Sequence, residues 1–381
     1  MMKNTLIATA VASAFSLNAF AADVSINGYL GSGVEFGDSS TAGAVTDGKT
    51  MGNAANNVIV FGISEDLDNG SQAYGSLVYT VNGTAQGNLS TRATRIGLRG
   101  DFGDVAFGMG EMIYEVGMIV DAHLTDYAGN ELSQSAIAGG GFDFTRIDSN
   151  VLVYKMSSMG AFTPTIVYGY NNTAELVSDA NTQDPDGNAI NGGVANTTYD
   201  DSLMQVAIDY NNGAGLNAQF AYAAYTDVDP TSGVNHVAMT DAGVADATGT
   251  RLTVRYDTGG MNIAATYQTM EVDHAADATY TNTGYNGKTW KRDTMFLHVT
   301  VPVATGRISA GYGTADDVEV DGVSLNESGT KVYNISYQYD LSPNTYLFAR
   351  MGKFDSKANY DLGNTDQNDT TSQVVGIKIG F

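Results

Sequence analysis

Apolar and polar residues alternate with a period of two, in segments of about ten residues, from one end of this chain to the other. In residues 372–381, Val375, Ile377, Ile379 and Phe381 share one face, while Val374, Gly376, Lys378 and Gly380 share the other. The segment stops on its aromatic, without a polar tail, as suits a strand whose apolar face meets lipid and whose last ring sits at an interface. In residues 294–303, Met295, Leu297, Val299 and Val301 oppose Phe296, His298 and Thr300. In 331–340, Tyr333, Ile335, Tyr337 and Tyr339 oppose Asn334, Ser336 and Gln338. In 202–210, Met204, Val206, Ile208 and Tyr210 oppose Gln205 and Asp209.

The N-terminus explains how such strands reach a membrane. Residues 1–5 carry Lys3, residues 6–17 form a short apolar run, and Ala19-Phe20-Ala21 fits cleavage before Ala22. Residues 1–21 are therefore expected to be a signal peptide and 22–381 the exported domain. No later window offers about 18 uncharged apolar residues, so the expected way to span a bilayer is a closed barrel. Without Lys3 the exported part has 17 basic and 42 acidic residues, a net charge of −25, which argues against nucleic acid as a partner. The absence of Cys excludes a disulfide framework and Cys-ligated metal centres. Forty-five Gly, 22 Tyr and five Pro suit tight turns, interfacial rings and unbroken ladders.

The connections alternate in length. Short ones fall at 66–70, 100–104, 157–161, 211–215, 257–260, 302–306 and 341–344. Long polar ones fall at 37–56, 82–91, 113–145, 171–200, 226–249, 271–292, 315–329 and 355–371. Seven short and eight long connections imply sixteen strands with both ends on the short-turn side. The expected fold class is all-β: a sixteen-stranded antiparallel transmembrane β-barrel with short periplasmic turns and long extracellular loops. A soluble sandwich explains the period of two but not this alternation of lengths.

On that layout the chain resembles the general porins of Gram-negative outer membranes. The resemblance is carried by Gly28-Tyr29-Leu30 through Val34-Glu35-Phe36, and by Ser64-Glu65-Asp66-Leu67 with Asn69-Gly70. It continues through Arg92 with Ile96-Gly97-Leu98, Gly100 and Phe102-Gly103, then Arg146 with Ser149-Asn150-Val151 and Tyr154. Tyr339 with Leu341-Ser342 and Thr345 follows, and then Val375 through Phe381. It implies a homotrimer of water-filled pores for passive diffusion of ions and small hydrophilic solutes, set in outer-membrane lipid and lipopolysaccharide. It also implies that the third loop, residues 113–145, folds into the barrel and narrows it. That loop carries Asp121, Asp126 and Glu131, the expected constriction carboxylates. Phe381 matches the family's terminal aromatic and is the expected assembly signal.

Inward positions of a wide barrel tolerate charge and outward ones do not. Arg251 and Arg255 alternate with Leu252, Val254 and Tyr256, and Arg350 opposes Leu347, Ala349 and Met351. Together with Arg92, Arg146 and Arg307 they make an expected basic pore wall across from the loop carboxylates, although Arg307 and Arg350 could equally be paired locally. If Arg92 is inward, Arg95 turns outward, where a lipid-facing arginine is costly, yet alternation with Ile96 and Leu98 turns Arg95 inward; lumen and subunit interface both stay open for it, the interface being favoured. Fewer wall arginines than in many porins and a strongly acidic chain favour mild cation selectivity.

No cofactor or metal is expected. His123, His236, His274 and His298 show no paired ligand spacing, and the 184–188 segment Asp-Pro-Asp-Gly-Asn reads as a turn better than as a calcium loop. Scattered loop histidines do not make a catalytic site, and the chain is read as a channel, not an enzyme. Two alternatives stay open. One is a sugar-selective porin with an aromatic track in its lumen; the other is a non-conducting barrel serving as adhesin or phage receptor.

Overall fold

The computed structural model describes residues 22–41, 44–53, 57–81, 89–111, 147–170, 202–226, 244–274, 287–356 and 370–381. Nineteen strand segments account for nearly all of them. In chain order these are β1 (Asp23–Thr41), β2 (Ala44–Asn53), β3 (Val58–Asp66), β4 (Gln72–Val81), β5 (Leu89–Gly100), β6 (Gly103–Glu111) and β7 (Ile147–Met156). Next come β8 (Phe162–Tyr170), β9 (Ser202–Asn211), β10 (Leu216–Thr226), β11 (Val244–Asp257), β12 (Asn262–His274) and β13 (Thr289–Val303). The last are β14 (Gly306–Ala315), β15 (Glu319–Val320), β16 (Val323–Ser324), β17 (Thr330–Ser342), β18 (Thr345–Ser356) and β19 (Thr370–Gly380).

Neighbours pair antiparallel, and β1 pairs with β19 from Tyr29↔Gly380 to Ser39↔Thr370, which closes the sheet. β1 spans two partners: its first half pairs with β3 and its second half with β2, so β2 and β3 share one position in the wall. β15 and β16 form a small hairpin leaning on β13, and β14 pairs directly with β17. The result is a closed sixteen-stranded antiparallel barrel. Closure pairs every wall strand on both sides, which is what a sheet in hydrocarbon requires.

The short turns lie where the sequence puts them. At 67–71, Gly70 takes φ of 80°, and the Asn69 side chain accepts from the Ser71 N–H at 3.0 Å. At 212–215, Gly213 takes φ of 69°, and Asn211 and Asn212 accept from the N–H groups of Gly213 and Ala214 at 2.7 and 2.8 Å. Asn supplies the local acceptor and Gly the left-handed conformation, so these hairpins are encoded by residue type.

One expected loop is mostly strand. In 37–56, β1 runs on to Thr41 and β2 returns along it from Ala44 to Asn53. Rich in Gly, Ser, Thr and Asp, the segment shows no apolar face in sequence by which to recognise a strand pair. Between β2 and β3 the buried Asn57 takes the place of a ladder residue. Its Oδ1 accepts from the Gly31 N–H at 2.6 Å, and its Nδ2 donates to the Gly31 carbonyl at 3.1 Å. Asn57→Ala is expected to cost about 1–3 kcal/mol, the penalty for stranding buried backbone groups, read as a lower urea midpoint and faster exchange of the Gly31 amide.

Outward positions are apolar around the whole barrel. They include Ile63, Leu98, Phe107, Phe220, Leu252, Leu297, Ile335, Met351 and Ile377, and Ile96 is 74% exposed. Outward rings pair edge to face or tilted, as in Phe61 with Tyr79 and Tyr312 with Tyr333. Near the turn-side rim, the rings of Phe162 and Tyr210 lie tilted with centroids 5.1 Å apart. The same parity places polar and charged side chains inside.

Candidate functional site

The lumen wall is the surface that can carry function, and it has two tiers. On the loop side, Val151, Val167, Leu203, Ala223, Met270, Val272 and Trp290, inward on β7 to β13, form one buried apolar cluster with Val318, and the buried Gln205, Gln268 and Arg292 stand among them. On the turn side, inward positions are charged or amide-bearing.

Arg251 and Arg255 are inward on β11, where their register partners are inward residues of β10 and β12. Arg307 and Arg350 are inward on β14 and β18. Arg350 stacks 4.3 Å from the Phe348 ring, and Lys378 Nζ lies 3.7 Å above the Tyr29 ring, so aromatic faces hold both cations against the wall. Asp104 sits opposite Arg99 on one side and Lys155 on the other, and the Tyr74 hydroxyl donates to its Oδ1 at 2.5 Å. The Tyr74 ring occupies the space over its register partner Gly97; a Cβ there would sit 2.7 Å from the ring.

Arginine, glutamine and aspartate combine three times. Gln72 Nε2 donates to Asp66 Oδ1 at 2.7 Å, while Gln72 Oε1 accepts from Arg99 Nε at 2.7 Å and from Arg99 Nη2. Gln219 Nε2 donates to Asp209 Oδ1 at 2.7 Å, and its Oε1 accepts from Arg251 Nη2 at 3.4 Å. Gln338 Nε2 donates to Asp340 Oδ1 at 2.5 Å, and its Oε1 accepts from Arg307 Nε at 3.2 Å and Nη2 at 2.9 Å. The local pairing considered for Arg307 is thus with an amide.

Arg95 is a correction. Its register partners are inward Ser76 and Gly108, on the face opposite Ile96 and Leu98, so it lines the lumen and not a subunit interface. The reason is a β-bulge. Val78 pairs with Ala93 but Tyr79 pairs with Thr91, leaving Arg92 as the extra residue and breaking the alternation between the two arginines. Asp121, Asp126, Glu131 and Arg146 lie outside the described residues.

Sequence reasoning missed Arg99, Lys155 and Lys378 as lumen cations, and the three glutamines as their neighbours. Alternation alone turns Gln338 and Lys378 inward. Which carboxylate meets which arginine depends on register between strands, which no single strand displays.

The Gram-negative porin family model matches residues 8–373. The chain belongs to the Gram-negative porin family. This porin forms a channel for solute diffusion in the bacterial outer membrane. Similar solved structures include an anion-selective porin from Comamonas acidovorans, 18% identical, with TM-score 0.69 over 94% of this chain and 100% of that one. The trimer form of OmpT, an outer membrane protein of Vibrio cholerae, is 15% identical, with TM-score 0.63 over 95% and 100% of the two chains. Salmonella typhi OmpF, in complex with daunomycin, is 14% identical, with TM-score 0.59 over 96% and 99%. At these identities the likeness is one of fold. No curated protein matches the porin in sequence.

Proposed function

We propose that this porin is a homotrimeric general diffusion pore for ions and small hydrophilic solutes, with mild cation preference. The observation that carries the reading is the split between an apolar outer wall and a charged, amide-lined inner wall around a closed barrel. Water and ions can occupy such an interior, while lipid, including lipopolysaccharide, covers the exterior. A trimer form is known for the similar OmpT of Vibrio cholerae, which supports the same assembly here. A signal peptide at residues 1–21 accounts for export.

The third-loop constriction is part of the proposal. The apolar tier begins on β7, the strand that follows residues 112–146, and leaving it wet inside a channel would be unfavourable. Met118, Ile119, Val120 and Leu124 give that segment an apolar stretch to lay on it, with Asp121, Asp126 and Glu131 among them or nearby. Cation preference follows from those carboxylates and from the net charge of the exported chain.

One observation favours weak anion preference instead. Among the described residues, the turn-side lumen carries Arg95, Arg99, Lys155, Arg251, Arg255, Arg307, Arg350 and Lys378 against Asp23, Asp66, Asp104, Asp209, Asp257 and Asp340. The similar Comamonas porin is anion-selective. Reversal potentials of purified protein across a KCl gradient decide between the two. Cation preference is expected, and Asp121→Asn with Asp126→Asn should reduce it, while Asp184→Asn with Asp186→Asn should do much less. Anion preference, or equal effects of the two pairs, overturns the proposed constriction. A sugar-specific pore is less well supported, because described tyrosines such as Tyr168, Tyr256, Tyr333 and Tyr337 face outward. Absence of any current would favour the receptor reading.

A further inference from the structure

Diffusion as proposed makes no use of the arginine–glutamine–aspartate relays, yet they recur on separate parts of the turn-side wall. In two of them the geometry is the same: Nε and Nη2 of Arg99 converge on one oxygen of Gln72, as those of Arg307 do on Gln338. Among the described residues, neither guanidinium comes within 4.0 Å of its relay's carboxylate, although Asp340 is two residues from Gln338 on the same face. The amide is neutral, so it orients the guanidinium without cancelling its charge. It engages two of five N–H donors and leaves the other three. A carboxylate in its place would take a bidentate pair and neutralise the arginine. The Nε2 group of each glutamine meanwhile holds the aspartate in place.

We propose that Gln72 and Gln338 are positioning residues that keep Arg99 and Arg307 out of ion pairs with Asp66 and Asp340, and that each arginine so held docks the oxyanion group of a passing solute, a phosphate or carboxylate. The proposal rests on the diffusion reading. It gives the turn-side end of the pore fixed sites for anions without requiring that the pore as a whole prefer them.

Inorganic pyrophosphate, added to KCl on either side of single channels in a planar bilayer, is the probe. It should block the wild-type current. Gln72→Leu with Gln338→Leu leaves the formal charge of the lumen unchanged but lets each aspartate capture its arginine. The concentration for half-block should then rise about tenfold, the scale of one lost charge-assisted contact. Asp66→Asn with Asp340→Asn should strengthen block several-fold more in the leucine background than in the wild type, because there it also frees a captured arginine. A purely structural role for the glutamines predicts no such coupling. If the paired leucine variant does not assemble, Gln338→Met with Asp340→Asn, measured the same way, decides the point. No block of a conducting wild type, an unchanged half-block in the glutamine variant, or equal gains in the two backgrounds overturns the inference. A wild type that passes no current removes the diffusion reading along with it.

Discussion

Deletion of Phe381 is expected to cut the amount of folded, heat-modifiable barrel in outer membranes about tenfold or more, a change equivalent to at least about 1.4 kcal/mol. The residue completes the seam. Its N–H donates to the Gly28 carbonyl and its carbonyl accepts from the Gly28 N–H, both at 3.0 Å, one step beyond the paired residues Tyr29 and Gly380. Without it, two backbone groups of β1 lose their partners at the only junction that joins the two ends of the sheet, and the outward rim loses an aromatic ring. Unpaired backbone near hydrocarbon is far costlier than in water, and closure is all or none for a barrel. Phe381→Ala keeps the backbone pairing and should give an intermediate yield, which separates the ring's contribution from that of the seam. Normal yields from the deletion would show that the seam closes without this residue.

Ile335→Lys is expected to lower the free energy of unfolding in lipid vesicles by about 2–4 kcal/mol, while Ile335→Leu at the same place costs less than about 1.5 kcal/mol. Ile335 stands outward in the middle of β17, 52% exposed, with outward Ala310 and Met351 beside it. Asn334, the next residue, stands inward between Gly311 and Gly352 with its amide buried. The two substitutions at Ile335 differ in charge at one outward position. A reversed order, or equal costs, would contradict the assignment of faces for β17 and, through its register, for β14 and β18.

The faces of most strands were readable because a strand's period is two and the barrel has a different solvent on each side. Arg251 and Arg255 against Leu252 and Tyr256, or Gln338 against Tyr337 and Tyr339, leave one assignment open once the chain is known to cross a bilayer. The seven short turns were equally plain, since Asn and Gly at 69–70 and 211–213 supply the acceptor and the left-handed backbone locally. Hairpin β1–β2 escaped notice because its residues show no apolar face in sequence, and Arg95 kept two readings because alternation with Ile96 and Leu98 turned it inward while an inward Arg92 turned it outward, a conflict resolved by the bulge between them. The relays were beyond reach for a related reason. Asp66, Gln72 and Arg99 stand on three strands, Arg307 and Gln338 on two, and what joins them is the register between strands. Alternation says which way a side chain points. Only the closed sheet, with its stagger, says which side chain it meets there, and in this porin that meeting places its lumen charges.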